Sequence, residues 1–392
     1  MGSSYSINGR RLLANPEFRA RLMFTLGALL LFRLARFIPM PGIDITGLQQ
    51  SFRGPLWFAG DHAVRLSIVA LAFTPYLSAW PYIELIRGLI GDTRATRYRL
   101  YLTTVFAGFQ AYGIALALAS QRSIVATPGV GFVIGIVATL VASTLLLIWL
   151  GDQITRRGLG NGIWLLIAAE FVGEMPGIAI AAAELLRSGA MPSSELALSL
   201  LCVVAIVALI ILVELARRHI PLERKNRTPE APASPATLAL SLDRVNILPS
   251  IFTASIMVFL VYPADYFAGT SPLFTLGSPA FLAVYAPLFI LLTFLITALV
   301  ASPGIEADRL RKARLASPGV PEAELDRHID DVMTRLTAMT ALYLLAIAVL
   351  PMLLNRYVAG SLQINGLNLL ISVIVALGLF RQCAALSADT KG

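Results

Sequence analysis

LFRLARFIPMPGID, residues 31–44, sets two arginines, Arg33 and Arg36, in an apolar run and then breaks that run. Pro39, Pro41 and Gly42 interrupt any helix that reaches them, and the chain resumes on Asp44. Proline lacks the N–H that a helix requires, and its ring collides with the preceding turn. Arginine is ordinary on a helix in water and costly on one in hydrocarbon. The stretch therefore decides the fold. It is either a helix end in solvent or a membrane span that exits into a wet, protein-lined space.

Composition chooses the second. Of 392 residues, 57% are hydrophobic and 14% charged, against about a quarter charged in a soluble domain. Surface this apolar belongs in a bilayer. The net charge of +8 does not point to nucleic acid, because the basic residues lie in short connections rather than on one folded face. Cys202 and Cys383 sit far apart in apolar stretches and read as small core residues, not a disulfide or metal site. The polar N-terminal stretch with Arg10, Arg11, Arg19 and Arg21 does not read as a cleavable signal peptide.

A span needs roughly 20 mostly apolar residues. The expected spans are 22–39, 66–90, 101–120, 130–150, 162–186, 195–215, 249–269, 279–301, 333–355 and 363–384. The fold class expected is an all-α membrane protein with ten transmembrane helices. They divide as five plus five, into halves 1–190 and 191–392, and inverted repeats of this kind recur in transport folds. Two connections are long, 216–248 and 302–332. The first holds RTPEAPASPATLA, without apolar period, and reads as a loop.

Basic residues set orientation. Arg87, Arg94, Arg97 and Arg99 follow span two, and Arg156 and Arg157 follow span four. Arg217, Arg218, Arg224, Lys225, Arg227 and Arg244 follow span six, and Arg309, Arg311, Lys312, Arg314 and Arg327 follow span eight. The alternate connections are nearly empty: 264–278 has neither Lys nor Arg, 121–129 only Arg122, and 356–362 only Arg356. Both termini are expected on the cytoplasmic side of a multi-pass inner-membrane protein.

Deep acids or histidines would indicate an ion-coupled secondary carrier for a small solute, the alternative reading. His62, His219 and His328 all lie in connections, Glu84 precedes Arg87 at helical pair spacing, and Glu170 is the one tempting deep acid. No HExxH, phosphate loop or GxSxG supports an enzyme.

Five stretches, in order, carry a resemblance. They are FRLARFIPMPGID (32–44), LAFTPYLSA (71–79), WLGDQITRRGLGNGIWLLI (149–167), VNILPSIFTASIMVF (245–259) and ADRLRKA with DDVMTRLTAMTALYL (307–313, 330–344). Together they resemble the SecY family, central subunits of the bacterial protein-translocation channel, nearly end to end. The resemblance implies that Pro39, Pro41, Gly42 and Asp44 form the hinge of a re-entrant plug over about 43–56, too short and polar to span. Irregular backbone at that depth is tolerated where it lines a wet cavity. Arg33 then faces that cavity, pairs with Asp44, or snorkels to the surface.

The same resemblance implies a pore ring of apolar side chains: Phe73, Leu77, Ile163, Ile167, Ile251 and Ile371. An apolar neck dewets and makes ions shed their hydration, yet yields around a passing chain. It further implies a lateral gate at Gln110, Asn246 and Ser255, where an amide pair across a helix seam is a lock of about 1 kcal/mol. Arg156, Arg157, Arg217, Arg218, Arg311 and Lys312 are implied as the cytoplasmic docking surface. The implied partners are a SecE-like small membrane subunit, a SecG-like subunit, a SecA-type motor ATPase or a ribosome, an unfolded polypeptide substrate and the lipid bilayer, with no cofactor. Energy then comes from the partner or from the membrane potential, and the chain itself catalyses nothing.

Several positions depart from the family pattern. Pro318-Gly319-Val320-Pro321-Glu322 lacks the arginine usual there, Pro81 stands where an aliphatic residue is usual, Arg156 replaces an acid, and the basic C-terminal tail is reduced to SADTKG. These departures point to a divergent or accessory member with a narrow client set.

Overall fold

The computed structural model describes residues 15–43, 66–120, 125, 129–215, 219–224, 236–239, 247–257, 277–300, 315–316, 325–358 and 365–389. Among the described residues ten helices fall at the ten expected places: α1 (Pro16–Ala35), α2 (Thr74–Ile90), α3 (Asp92–Ala119), α4 (Val130–Arg157), α5 (Gly162–Arg187), α6 (Ser193–Leu215), α7 (Leu248–Met257), α8 (Pro279–Val300), α9 (Leu325–Tyr357) and α10 (Gly366–Asp389). Among the described residues seven, α3–α6 and α8–α10, are long and apolar enough to cross a membrane. The other three are α1, which carries Glu17, Arg19, Arg21 and Arg33, the shorter α2, and α7.

Two compact units divide the chain. One joins 1–80, 96–196 and 368–392, and the other joins 81–95 with 197–367. The expected repeat halves, 1–190 and 191–392, concern symmetry, which this division by compactness does not address.

In the first unit α1 starts where Asn15 accepts the backbone N–H of Glu17 at 2.9 Å, with Pro16 in the first turn. It ends at Ala35, four residues before the expected end of the span at 39. Phe37 and Ile38 donate back to Leu34 and Ala35 in a tight turn, so the helix stops before Pro39 reaches it. The chain then runs antiparallel to 66–68: Met40 donates to Leu66, Ile68 donates to Ile38, and Pro39 faces Ser67 across a bridge. Gly42 takes φ +81, and a Cβ there would lie 3.0 Å from the Phe132 ring, so glycine answers both strain and space.

Span two starts later than expected. Residues 66–73 form successive turns and α2 begins at Thr74, with Pro75 free to occupy the first turn. Thr103, Ala107, Ala111 and Ala115 recur every four residues on α3 and are fully buried, a small-residue stripe of the kind that lets helices approach closely in lipid. Ala111 and Ala115 join Met40, Leu71, Leu118, Val125, Ile136 and Leu140 in one cluster that packs α3 on α4 and on the exit of α1.

In the second unit α8 packs on α9. Phe281, Tyr285 and Phe289 stack along α8 at 5.4 and 5.8 Å between ring centroids. Buried hydroxyls of Thr253, Thr293, Thr297 and Thr337 each donate to the carbonyl four residues back, which satisfies them without water. The long connections differ from expectation. β1 (His219–Arg224) pairs antiparallel with β2 (Ala236–Ala239), His219 opposite Ala239 and Leu222 opposite Ala236. β3 (Leu315–Ala316) adds to β1 with Arg224 opposite Leu315, so a three-stranded sheet ties both long connections together.

Candidate functional site

Four of the six positions expected to form a ring come from the α2 entry and α5. Phe73 closes the turns before α2, is 1% exposed, and meets Phe32 of α1 at 6.0 Å between centroids. Leu77 donates its backbone N–H to Phe73 and is half-buried. Ile163 and Ile167 lie one turn apart on α5, both buried, as is Ile371 on α10. The first unit thus holds five of these residues. Ile251, on α7, is buried in the second unit.

The turn between α4 and α5 explains the Gly-Asn-Gly run. A Cβ on Gly162 would collide with the carbonyl oxygen of Gly151, and one on Gly151 would lie 2.6 Å from Cγ1 of Ile163. Glycine at both places lets α4 and α5 touch backbone to backbone and seats Ile163 at the contact. Gly160 takes φ +75, with Leu379 of α10 only 2.8 Å from where its Cβ would be. Three hydrogen bonds then hold the turn. Leu159 N–H donates to Thr25 Oγ1 of α1 at 2.9 Å, Gly160 N–H to Gln382 Oε1 of α10 at 2.7 Å, and Gly162 N–H to Thr155 Oγ1 at 2.8 Å. Thr25 and Gln382 were not legible as partners, because nothing local links residues 134 and 222 positions apart.

Further along α5 from Ile163 and Ile167 lies a charge cluster. A helix advances about 100° per residue, so positions 163, 167, 170 and 174 share one stripe. Arg36, the residue capping the end of α1, is 4% exposed. Its Nη1 donates to the backbone carbonyl of Glu170 at 3.2 Å and its Nη2 reaches Glu174 Oε1 at 3.4 Å. Arg33 lies over the Phe37 ring at 5.8 Å, and its Nη1 is 2.6 Å from where a Cβ on Gly173 would stand. Glu170 therefore meets α1, through its carbonyl.

At the positions expected to form a gate, Gln110 Nε2 donates to Ser78 Oγ of α2 at 3.2 Å, while Ser255 donates to the carbonyl of Ile251 within its own helix. Asn246 lies outside the described residues, as do Asp44, the remainder of the plug stretch to 56, Arg217, Arg218, Arg311 and Lys312. Pro39, Pro41 and Gly42 form the exit already described. Arg156 and Arg157 are exposed at the end of α4. Glu84 pairs with Arg87 at 2.9 Å, the expected local pair. Among the described residues no cluster of potential metal ligands occurs.

Known proteins match this chain along nearly its whole length. The SecY family model matches residues 67–380. The protein translocase subunit SecY of Escherichia coli strain K12 is 33% identical over 411 aligned positions, covering 96% of this chain and 93% of its own. The subunit of the same name from Rickettsia typhi is 34% identical, covering 94% and 93%. Among solved structures, that of a protein conducting channel superposes with a TM-score of 0.60 at 16% identity over 93% of this chain and 92% of its own. Sec61 in the canine ribosome-channel complex from the endoplasmic reticulum gives 0.57 at 15% identity, with the same two coverages. The structural likeness is one of fold; the sequence match, a third identical from end to end, carries the assignment. The chain belongs to the SecY family.

Proposed function

We propose that this chain is the channel subunit of a protein translocase, passing unfolded secretory polypeptides across the cytoplasmic membrane and releasing apolar segments sideways into lipid. The observation that carries the reading is the end-to-end match to translocase subunits, 96% of this chain against 93% of the relative. The ring residues supply the physics. Phe73, Ile163, Ile167, Ile251 and Ile371 are each under a tenth exposed and offer no polar atom to a hydrated ion. The work comes from a partner. A SecE-like subunit clamps it, a SecG-like subunit stands beside it, and a SecA-type motor or a ribosome docks at Arg156, Arg157 and the two long connections, with both termini cytoplasmic. The proline at position 81 and the altered 318–322 run support a specialised, accessory member. The carrier alternative, which rested on Glu170, has no support: the relatives matched are translocase subunits.

A photo-crosslinking residue at Ile251 tests the reading in inner-membrane vesicles carrying the assembled complex. A secretory chain stalled in transit is expected to be captured there and not from lipid-facing Leu201, which is 65% exposed on α6. Equal capture at both positions, or none at Ile251, overturns it.

A further inference from the structure

We infer that Arg36 is a positioning residue for the ion seal, bracing α5 against α1 just outward of Ile163 and Ile167. The inference rests on the channel reading above and concerns only the first compact unit. Three observations converge on it. Glu170 and Glu174 continue the stripe of the two isoleucines, so whatever grips them governs the face that carries the ring. Arg36 grips both: a backbone carbonyl at 3.2 Å and a carboxylate at 3.4 Å. Pro176 then lies inside α5, where it removes the hydrogen bond that would return to the carbonyl of Val172. The turn that the proline weakens is the turn that Arg36 spans.

The other end of the brace is fixed. Arg36 caps α1, where a cation also suits the helix dipole. Beyond it Met40 and Ile38 are held to Leu66 and Ile68 by backbone hydrogen bonds. Phe32, one turn before Arg36, packs on ring residue Phe73. At Gly173 a Cβ would lie 2.6 Å from Arg33 Nη1, so a side chain there would displace the end of Arg33. The contact is poorly built for stability alone. Arg36 Nε is buried without a hydrogen-bond partner, and burying an ion pair costs desolvation. What it supplies is position.

The test uses the purified, assembled complex in lipid vesicles. Resting ion leak, translocation of a secretory client and melting temperature are measured for Arg36→Gln, Glu174→Gln, Arg36→Lys and the reversed pair Arg36→Glu with Glu174→Arg. Loss of the brace is expected to raise resting leak about tenfold, the effect of a modest shift between two conformations. Arg36→Lys keeps the charge but not the planar fork and is expected to leak to an intermediate degree. The reversed pair is expected to return toward the wild-type leak. If Arg36→Gln fails to fold, Arg36→Lys and the reversed pair decide the matter. Leak at the wild-type level in a folded Arg36→Gln or Arg36→Lys protein overturns the inference. So does leak that tracks loss of melting temperature in every variant. A wild-type complex that translocates no client overturns the channel reading instead.

Discussion

At the scale of single residues, the α4–α5 turn is governed by what is absent from its side chains. Gly162 faces the Gly151 carbonyl so closely that a methyl group has nowhere to go, because the obstacle is backbone. Gly162→Ala is expected to destabilise the protein by about 1–3 kcal/mol, the cost of overpacking, read as a lower melting temperature in detergent. The glycines could be picked out in the sequence because three occur within five positions, 158–162, after a polar, basic helix end. Glu84 and Arg87 were legible for a similar reason, since three positions on a helix make neighbours. Arg36 and Glu174 were not. Nothing in the sequence links the two, and only the fold brings together residues 138 positions apart.

At the scale of elements, the apolar runs announced all ten helices, while their ends followed local chemistry that run length does not see. α1 stops at Ala35 because a turn forms ahead of the prolines, and α2 starts at Thr74 because 66–73 is spent on turns against the exit of α1. The strands at 219–224 and 236–239 escaped notice because stretches this short carry too little alternation to stand out, and their partner at 315–316 lies in another connection. Within α2, Pro81 breaks the hydrogen-bond ladder, and the boundary between the compact units falls between Trp80 and Pro81. Trp80 meets Trp164 of α5 at 5.3 Å, and Tyr82 meets Phe252 of α7 at 5.3 Å. Pro81→Ala restores the missing N–H. It is expected to raise the melting temperature, by about 1–3 kcal/mol in stability, because proline in a helix interior costs about 3 kcal/mol relative to alanine.

At the scale of the whole molecule, charge distribution is expected to set orientation. Arg156 and Arg157 end α4, whereas Ser188 caps the far end of α5 beyond the apolar stretch. A single reporter cysteine at Arg157, in a protein whose own two cysteines are replaced, is expected to react with an impermeant thiol reagent only from the cytoplasmic side. One at Ser188 is expected to react only from the outside. Labelling of both from one side removes the orientation.

The last helix belongs to the first compact unit, and Gln382 on it holds the backbone of Gly160. Biosynthesis therefore runs out of step with architecture. A nascent chain that has inserted its opening five helices still lacks the tether for its α4–α5 turn until the closing segment is made, after everything in the other unit. Damage or premature termination near the carboxyl end is thus registered at residue 160, in a turn synthesised long before it.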